Sequence, residues 1–549
     1  MAAESHTVGT WPRPLLDETI GDNFARAVSL FGDRDALVER QSGRRWTYRE
    51  LADEVDELAR GLLEAGISPG DRVGIWAPNC GEWVIVQYAC AVIGAIMVNL
   101  NPAYGTHEIE YVLNLAGVRL VIAAPRYKTS DYAAMLDEVR PRCPGLERVV
   151  LLGGPCWASL RQRGLHAPRE RLAAVRAGLR PDDAVNIQFT SGTTGFPKGA
   201  TLSHRNILNN GYFVGEVLGY TEADRVCVAV PLFHCFGMVM GNLAATTHGA
   251  CIVLPSPTFD ARATLSAVAE ERCTSLYGVP TMFIAELADL DFDAFDLTSL
   301  RTGIMSGAPC PVEVMRQVVD RMGMTGVTIC YGMTETSPVA TQTRFDDPLK
   351  RRVSTVGRAG PHVEVSVVEA GTNRPVRRGD SGEVCIRGYS VMLGYWDQPD
   401  RTAESIDADG WMHTGDIGTM DDDGYVNITG RLKEMVIRGG ECMFPREIEE
   451  FLHTHPDILD VQVVGVPDHR YGEDLMAWVR MRHGVTPLRI DGLRRYCTGR
   501  IAHHKIPRYL QVVDEPFPMT VSGKVRKVEL RERGIELLGL RELLDTRHA

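Results

Sequence analysis

Short apolar segments alternate with helical patterns over most of this chain, and the alternation narrows its fold class at once. The segments 72–76, 96–98 and 120–123 have the length and composition of buried strands, with helical stretches between them. After a loop rich in glycine and hydroxyl residues the alternation resumes, with strand-like runs at 226–230 and 251–254 and three more farther on. Strands that alternate with helices favour a parallel sheet wrapped by helices, so we predict an α/β fold.

Two helix starts and one long apolar run refine this prediction. Thr47 followed by Glu50 has the form of a capping box, and Ser203 is a plausible N-cap for a second helix. The longest apolar run, about 83–98, is shorter than the ~20 residues of a membrane helix, so we predict a buried helix that leads into a strand. The stretch 125–183 is rich in Pro, Arg and Gly and predicts peripheral loops.

The pattern of polar and apolar residues changes twice in the second half of the sequence. Residues of about 353–430 alternate polar and apolar side chains between turn residues, which is typical of a small β-rich subdomain. The segment 434–549 has its own α+β pattern. We therefore predict a large N-terminal domain of parallel-type sheets wrapped by helices (1–430), which includes the β-rich subdomain, and a small α+β C-terminal domain.

The net charge argues against nucleic-acid binding, and the cysteines indicate the compartment. The 549 residues carry 59 Lys and Arg against 71 Asp and Glu, a formal net charge of −12, so the chain has no bulk attraction for nucleic acid. The 13 cysteines are scattered, which is typical of reduced thiols in a cytoplasmic enzyme. The N-terminus lacks the pattern of a signal peptide, and no segment predicts a transmembrane helix.

One loop combines the side chains that an anion site needs. The segment 189–199, FTSGTTGFPKG, holds four hydroxyl side chains, three glycines and one lysine directly after a strand-like run. Glycine allows backbone N–H groups to approach a bound anion closely. The spacing is neither that of a Walker P-loop nor that of a dinucleotide fingerprint.

Four further strings carry polar side chains at strand ends or near the C-terminus. They are SGAP at 306–309, YGMTE at 331–335, TGD at 414–416 and PMTVSGK at 518–524. Each has an ordinary structural interpretation by itself: Thr334 and Glu335 suit a helix start, Asp416 suits a turn, and Lys524 suits a solvated tail. A carboxylate beside a hydroxyl group at a strand end can also hold Mg²⁺ near a phosphate.

Together these strings resemble the motifs of the adenylate-forming superfamily, which contains acyl-CoA synthetases, aryl-CoA ligases, luciferases and peptide-synthetase adenylation domains. The resemblance runs from about residue 47 to 524, and the chain as a whole is most similar to medium-chain fatty acyl-CoA synthetases. It implies that a carboxylic acid and ATP give acyl-AMP and pyrophosphate, and that CoA then takes the acyl group and releases AMP. ATP, Mg²⁺ and CoA follow as cofactors or co-substrates.

The resemblance also implies how the nucleotide is held. Tyr331 would stack near adenine, Thr334 would contact the α-phosphate and Glu335 would bind Mg²⁺ as the metal ligand. The full ATP/AMP-binding set is Thr190, Ser191, Gly192, Thr193, Thr194, Gly195, Lys198, Gly307, Ala308, Pro309, Tyr331, Thr334, Asp416, Arg431 and Lys524. Asp416 and Arg431 would hold the ribose. The implied catalytic residues are Lys524, His234, Thr334 and Glu335.

The two half-reactions need different surroundings, and the family resolves this by rotating a small, mobile C-terminal domain. By resemblance the hinge is 431–433, with Lys433 as the pivot. Lys524 would serve the first step, between the acyl carboxylate and the α-phosphate. The path of the CoA arm would then be lined by Arg438, Gly439, Gly440 and Glu441.

The acyl pocket is assigned from the same resemblance. Its predicted residues are His234, Phe236, Met238, Tyr277, Met282, Gly307 and Gly332. This set is mostly apolar and contains small residues, which suits an aliphatic or aryl-alkyl acid. Acetyl-specific relatives carry tryptophan where Gly332 stands.

The residues alone leave other functions open. The chief alternative is a stand-alone adenylation enzyme that loads an acyl or aryl acid onto a carrier protein. A non-catalytic nucleotide-binding relative is disfavoured by Lys198, Glu335 and Lys524, and a luciferase-type oxygenase would use the same first step. A homodimer, the acyl chain length and the acceptance of aryl acids are left undecided.

Overall fold

The computed structural model describes residues 3–190, 197–308, 310–369, 371–438, 441–520 and 525–545. The chain forms two compact units: the larger comprises 7–365 and 385–413, and the smaller comprises 1–6, 366–384 and 414–549. The boundary between them falls within the strands Val363–Val368, Gly382–Gly388 and Met412–Met420. Since this division differs from a single cut at residue 430, the domain bounds 1–430 and 434–549 stay predictions.

The larger unit contains a seven-stranded sheet in which the two strands joined by the glycine-rich segment lie next to one edge. Its strands, in spatial order, are Gly394–Tyr395, Lys198–Ser203, Ala184–Thr190, Ile96–Asn99, Arg72–Trp76, Val118–Ala123 and Arg148–Leu151. From Ala184–Thr190 to Arg148–Leu151 the neighbours are parallel, and the other two pairs are antiparallel. The central strands are apolar on both faces because helices cover both sides of a parallel sheet.

A second sheet of the same unit follows the same plan. Its strands, in spatial order, are Arg358–Ala359, Val339–Gln342, Gly326–Gly332, Thr302–Met305, Ser275–Gly278, Arg225–Val228, Cys251–Leu254, Asp35–Glu39 and Arg44–Thr47. The strands from Gly326–Gly332 to Asp35–Glu39 are parallel. Their carboxyl ends therefore meet along one edge, where ligands bind in such sheets. Together with the helices these sheets confirm the α/β prediction.

The α-helices of the larger unit confirm the expected start sites. They are Ile20–Phe31, Tyr48–Glu64, Gly81–Ile93, Thr106–Ala116, Tyr132–Val139, Pro155–His166, Arg169–Gly178, His204–Leu218, Ala244–Thr247, Ala261–Glu271, Pro280–Leu287, Val312–Met322, Leu349–Ser354 and Pro399–Ser405. Thr47 and Glu50 form the capping box, and the hydroxyl of Ser203 accepts from Asn206 N. Gly81–Ile93 is buried along its length and leads to a strand. No helix among the described residues is long and apolar enough to span a membrane.

The prediction of peripheral loops at 125–183 is wrong. This stretch contains a strand of the first sheet, Arg148–Leu151, and helices that include Pro155–His166 and Arg169–Gly178. Pro155–His166 buries Trp157 and Leu160. Arg161 obscures the helical pattern because it packs against another helix: it donates to Glu57 at 2.6 Å, an acid on the helix Tyr48–Glu64.

The smaller unit contains a separate sheet with its own core. Four of its strands lie in the order Glu441–Met443, Val436–Arg438, Gly472–Met481 and Ile458–Asp468, and Tyr509–Val512 pairs with Gly472–Met481. Its α-helices are Pro445–Leu452, Ile490–Cys497, Lys527–Leu537 and Glu542–Asp545. Val461, Val463 and Leu475 are fully buried in the core. The α+β pattern predicted for 434–549 is confirmed.

A buried carboxyl group in the larger unit gives a stability prediction. Both oxygens of Glu286 lack a hydrogen-bond partner, and the residue has no exposed surface. Burial raises the pKa of this carboxyl well above its ordinary value. A raised pKa in the folded state means that the protonated form is favoured, so stability is full below the unfolded pKa and falls as the pH rises.

We expect Glu286→Met to raise the free energy of unfolding by about 1–3 kcal/mol at pH 8, because it removes the cost of an unpaired buried group. The gain should shrink toward pH 4, where the wild-type carboxyl is protonated. Denaturation from pH 4 to 9 measures both effects, with Glu313→Met on the exposed side of another helix as the matched control. Destabilisation by the same amount at every pH would contradict this interpretation.

Candidate functional site

The glycine-rich segment closes a hairpin. Thr190 ends one strand, Lys198 begins the next, and their Cα atoms are register partners. The sequence did not predict the strand Lys198–Ser203; the chain forms it before the helix that Ser203 caps. The predicted ligands Ser191, Gly192, Thr193, Thr194 and Gly195 lie outside the described residues.

The carboxylate predicted to bind Mg²⁺ lies beside this hairpin. Glu335 is 5% exposed and lies in the 3₁₀ turn Thr334–Thr336, after the strand Gly326–Gly332. Its Oε1 accepts a hydrogen bond from Tyr395 Oη at 2.8 Å and a longer one from Thr190 Oγ1 at 3.4 Å. The Nζ of Lys198 lies 4.8 Å from the centroid of the Tyr395 ring. The structure thus brings together Thr190, Lys198 and Glu335, as the motifs implied.

Sequence reasoning missed Tyr395. It lies in the two-residue strand Gly394–Tyr395, which pairs with the hairpin strand through Ala200. Burial, and after it the charge of Glu335, raises the pKa of the Tyr395 phenol, so the hydroxyl group keeps its proton and acts as a donor. Its neighbours in the sequence gave no indication, because the contact joins residues 60 positions apart.

The loop that carries His234 is fixed to the ends of two sheet strands. The carbonyl oxygen of Phe233 accepts from Gln188 Nε2 at 2.7 Å and from Asn99 Nδ2 at 2.9 Å. His234 Nδ1 accepts from the backbone N of Phe236 at 3.3 Å. Burial, and then Glu335, raises the pKa of the neighbouring Cys235, which remains a thiol.

A π-helix, Phe236–Leu243, follows this loop. Such helices are rare and often occur at functional sites. Two of the predicted acyl-pocket side chains pack together, since the rings of Phe236 and Tyr277 stack with centroids 5.7 Å apart. The hydroxyl of Tyr220 donates to that of Tyr277 at 2.8 Å, which fixes the ring. Met238, Tyr277 and Met282 are all buried. Their role in lining an acyl pocket stays a prediction.

The structure leaves no room for a side chain at Gly332, the position where acetyl-specific relatives carry tryptophan. A Cβ atom built on Gly332 would lie 1.8 Å from the carbonyl oxygen of Pro338. The strand irregularity between Tyr331 and Gly332 sets this direction. A side chain at position 332, such as the tryptophan of acetyl-specific relatives, would therefore displace the backbone at Pro338.

The residues predicted near adenine follow neighbouring parallel strands. Thr302–Met305 leads to Gly307 and Ala308, and the next strand ends at Tyr331 and Gly332. The hydroxyl of Ser306 donates to the carbonyl oxygen of Cys330 at 2.7 Å and links the two strand ends. Pro309 lies outside the described residues. No α-helix follows Tyr331 here; the 3₁₀ turn leads into the antiparallel strand Val339–Gln342.

The smaller unit brings the two predicted ribose ligands together. Asp416 and Arg431 are register partners on the strands Met412–Met420 and Val426–Arg431. Nε of Arg431 donates to Asp416 Oδ1 at 2.8 Å. Asp416 is 5% exposed, whereas more than half of the Arg431 side chain is exposed. A buried carboxylate oriented by an exposed guanidinium group can accept from ribose hydroxyls.

The predicted hinge and CoA path occupy the same unit. Lys433 lies in the 3₁₀ turn Leu432–Glu434. Arg438 donates to the carbonyl oxygen of His504 at 2.9 Å and lies 3.2 Å from the carboxylate of Asp474. Gly439 and Gly440 lie outside the described residues, and the backbone of Glu441 pairs with that of Arg438. A cavity of about 330 Å³ lies beside Arg438, and three of its lining residues are arginines. The lining consists of Arg438, Arg494, Thr498, His503, Ile506, Pro507 and Arg508.

Lys524 lies outside the described residues, but the ends of its loop are described. Met519 and Val525 form an antiparallel bridge, and Arg526 N donates to Pro518 O at 2.8 Å. The Nζ of Lys527 lies 2.8 Å from Glu449 and 3.5 Å from Glu434. The bridge and the Arg526–Pro518 hydrogen bond hold the two ends of the segment 520–524 close together.

The oxygen atoms around Glu335 fit a hard divalent cation. A buried carboxylate and the Thr190 hydroxyl are the ligand types that Mg²⁺ prefers, together with water and phosphate oxygens. Among the described residues, the hydrogen bonds found for the Glu335 carboxylate come from hydroxyl groups, and none comes from a thiol or an imidazole. Glu335 would hold Mg²⁺ with phosphate oxygens of the nucleotide.

Comparison with known proteins gives concordant results. Residues 24–396 match the AMP-binding enzyme family, and residues 447–524 match the AMP-binding enzyme C-terminal domain. YngI of Bacillus subtilis (strain 168), provisionally called an acyl-CoA synthetase, is 46% identical over 96% of this chain and 99% of its own. The mitochondrial medium-chain acyl-CoA ligase ACSF2 of Danio rerio is 42% identical over 98% of this chain and 91% of its own. The anthranilate CoA ligase AuaEII, solved with anthranoyl-AMP, superposes with a TM-score of 0.84 at 26% identity, over 95% and 98% of the two chains.

Proposed function

The chain belongs to the AMP-binding enzyme family and is an AMP-forming acid–thiol ligase, and on that premise we propose that it activates medium-chain fatty acids. Acyl-CoA synthetase activity uses a carboxylic acid, ATP and CoA. The observation that carries the site assignment is the convergence of Thr190, Lys198 and Glu335 around Tyr395 in the larger unit.

In the first half-reaction a carboxylate oxygen of the fatty acid attacks the α-phosphorus of ATP. The new bond gives acyl-AMP, and the bond to the β-phosphate oxygen breaks to release pyrophosphate. Thr334 would donate to an α-phosphate oxygen, and Lys524 would lie between that phosphate and the acid. Both reduce the repulsion between two anions, which is the main barrier to their approach.

Mg²⁺, when bound, supplies positive charge to the phosphates. Glu335 would hold it, and Lys198 would add a second positive charge from the hairpin strand. Asp416 and Arg431 would fix the ribose. Since bound reactants need correct orientation as well as charge compensation, these contacts act on the alignment of the α-phosphorus with the attacking oxygen.

In the second half-reaction the sulfur of CoA attacks the acyl carbon, and AMP leaves with the electron pair of the broken C–O bond. The thiol proton is released to solvent. We propose that Arg438 to Glu441 line the path of the CoA arm after rotation about Lys433. The arginine-rich cavity next to Arg438 supports this, because CoA carries several phosphate charges. A cytoplasmic location and the mobile character of the C-terminal domain stay predictions, and the oligomeric state stays undecided.

The preference for a medium chain is supported by the ACSF2 relatives, which are named medium-chain acyl-CoA ligases, and by apolar candidate residues. Phe236, Met238, Tyr277 and Met282 are all buried. Six additional methylenes, from a two-carbon to an eight-carbon acid, contribute roughly 5 kcal/mol of gross transfer free energy at about 0.8 per CH₂. Octanoate should therefore exceed acetate in kcat/KM by about a thousandfold, before ordering costs.

Purified protein with ATP and Mg²⁺ tests the function with a panel of C2 to C16 and aryl acids, followed by AMP release with and without CoA. We expect CoA-dependent AMP release with a maximum among medium chains. Pyrophosphate exchange without CoA turnover would point instead to a carrier protein as acceptor. A maximum at acetate or at an aryl acid would refute the chain-length proposal and leave the ligase assignment intact.

A further inference from the structure

One tyrosine contacts both charged side chains that adenylation requires in the larger unit. Tyr395 donates to Glu335 Oε1 at 2.8 Å, and its ring lies 4.8 Å from the Nζ of Lys198. We infer that Tyr395 is a positioning residue for adenylation, which orients the Glu335 carboxylate for Mg²⁺ and holds the Lys198 ammonium group against its own ring. This inference rests on the proposed function, because it concerns the same site.

The backbone around Tyr395 is fixed independently of its side chain. Three hydrogen bonds hold the segment 392–396: Met392 N to Glu335 O at 2.9 Å, Leu393 N to Thr201 O at 2.9 Å and Trp396 N to Gly199 O at 2.7 Å. The backbone N of Tyr395 also donates to the hydroxyl of Thr402 at 2.9 Å. The ring therefore starts from a rigid strand, and its hydroxyl group can transmit that rigidity to the carboxylate.

The hydrogen bond to Glu335 decides which carboxylate oxygen is restrained. Oε1 accepts from Tyr395 and, at a longer distance, from Thr190. Both donors act on the same oxygen, so the plane of the carboxylate is set while the charge remains on the group. Hydrogen bonds to charged groups contribute about 1.5–3 kcal/mol, which corresponds to about a tenfold to hundredfold change in an equilibrium constant.

The ring makes a separate contribution through Lys198. An ammonium group within about 6 Å of an aromatic centroid gains about 0.5–1 kcal/mol at an exposed site, which is about a twofold to fivefold effect. Phenylalanine keeps this contact and loses the hydroxyl group, whereas leucine loses both. The pair of substitutions therefore separates the two parts of the proposed role.

The experiment measures metal binding directly in the full-length protein. Mn²⁺ is titrated in the presence of ATP without any carboxylic acid, and free Mn²⁺ is read by electron paramagnetic resonance. Tyr395→Phe should weaken Mn²⁺ binding by about tenfold and leave binding of metal-free ATP unchanged. Tyr395→Leu should weaken Mn²⁺ binding at least as much and weaken metal-free ATP binding by about threefold.

The matched control is Tyr132→Phe, which removes another buried hydroxyl group, one that donates to the carbonyl oxygen of Pro102 at 2.6 Å. It should leave Mn²⁺ binding unchanged. Wild-type Mn²⁺ affinity in Tyr395→Phe overturns the Glu335 part, and because this variant is nearly isosteric it decides that part even if Tyr395→Leu fails to fold. Unchanged metal-free ATP binding in a folded Tyr395→Leu overturns the Lys198 part. Absence of pyrophosphate exchange in the wild type would refute the proposed function instead, whatever the variants bind.

Discussion

Lys524→Ala should reduce acyl-AMP formation by at least about a thousandfold while leaving thioester formation from supplied acyl-AMP nearly intact. The reason is that the lysine is needed where two anions meet, and a thousandfold corresponds to about 4 kcal/mol of lost transition-state stabilisation. In the second step the attacking group is a thiol, and the pyrophosphate has already left. No comparable charge repulsion has to be overcome there.

Two assays separate the half-reactions. Exchange of labelled pyrophosphate into ATP reports the first, and conversion of synthetic octanoyl-AMP with CoA reports the second. Lys350→Ala, an exposed lysine in a short helix of the larger unit, is the control and should behave as the wild type. Equal loss of both half-reactions would refute a role confined to adenylation. Since the ends of the 520–524 segment are held by the Met519–Val525 bridge, the substitution should not unfold its surroundings.

The sequence predicted the parts of the fold that depend on local chemistry. Thr47 and Ser203 start helices because their hydroxyl groups cap backbone N–H groups a few residues away, and such signals survive in a single sequence. The helix Pro155–His166 was hidden in part because Arg161 pairs with acids on another helix rather than facing solvent. A composition rich in Arg does not show which of those two situations holds.

For the candidate site, too, the sequence pointed to residues in local strings and missed a contact between distant residues. Glu335 and Lys198 were singled out because each lies in a specific string, whereas Tyr395 reaches them only through the pairing of the strands Gly394–Tyr395 and Lys198–Ser203. Gly332 shows what a string does not reveal, namely which atoms occupy the direction that a side chain would take. The backbone of Pro338 occupies that direction, because the strand is irregular at this point.

Glu335→Gln should lower the rate of pyrophosphate exchange by about a hundredfold to a thousandfold at millimolar Mg²⁺. The amide keeps the size of the side chain, and its oxygen can still accept from Tyr395 and Thr190. What it loses is the negative charge that a hard cation requires. Raising Mg²⁺ should therefore recover part of the rate, and the concentration of Mg²⁺ at half-maximal rate should rise by at least about tenfold, since an ionic contact to the metal is lost.

The sign of one further effect distinguishes a metal ligand from a structural carboxylate. Without metal, the buried charge of Glu335 repels the phosphates of ATP, so Glu335→Gln should bind metal-free ATP more tightly than the wild type does while it adenylates more slowly. Calorimetric titration of ATP in chelator measures the first quantity, with Glu313→Gln as an exposed control. A carboxylate that merely supported the fold would, on neutralisation, weaken both ATP binding and thermal stability together. Weaker metal-free ATP binding in a Glu335→Gln variant that melts at the wild-type temperature would therefore remove Glu335 from the metal site, and with it the reason why Tyr395 should matter for Mg²⁺.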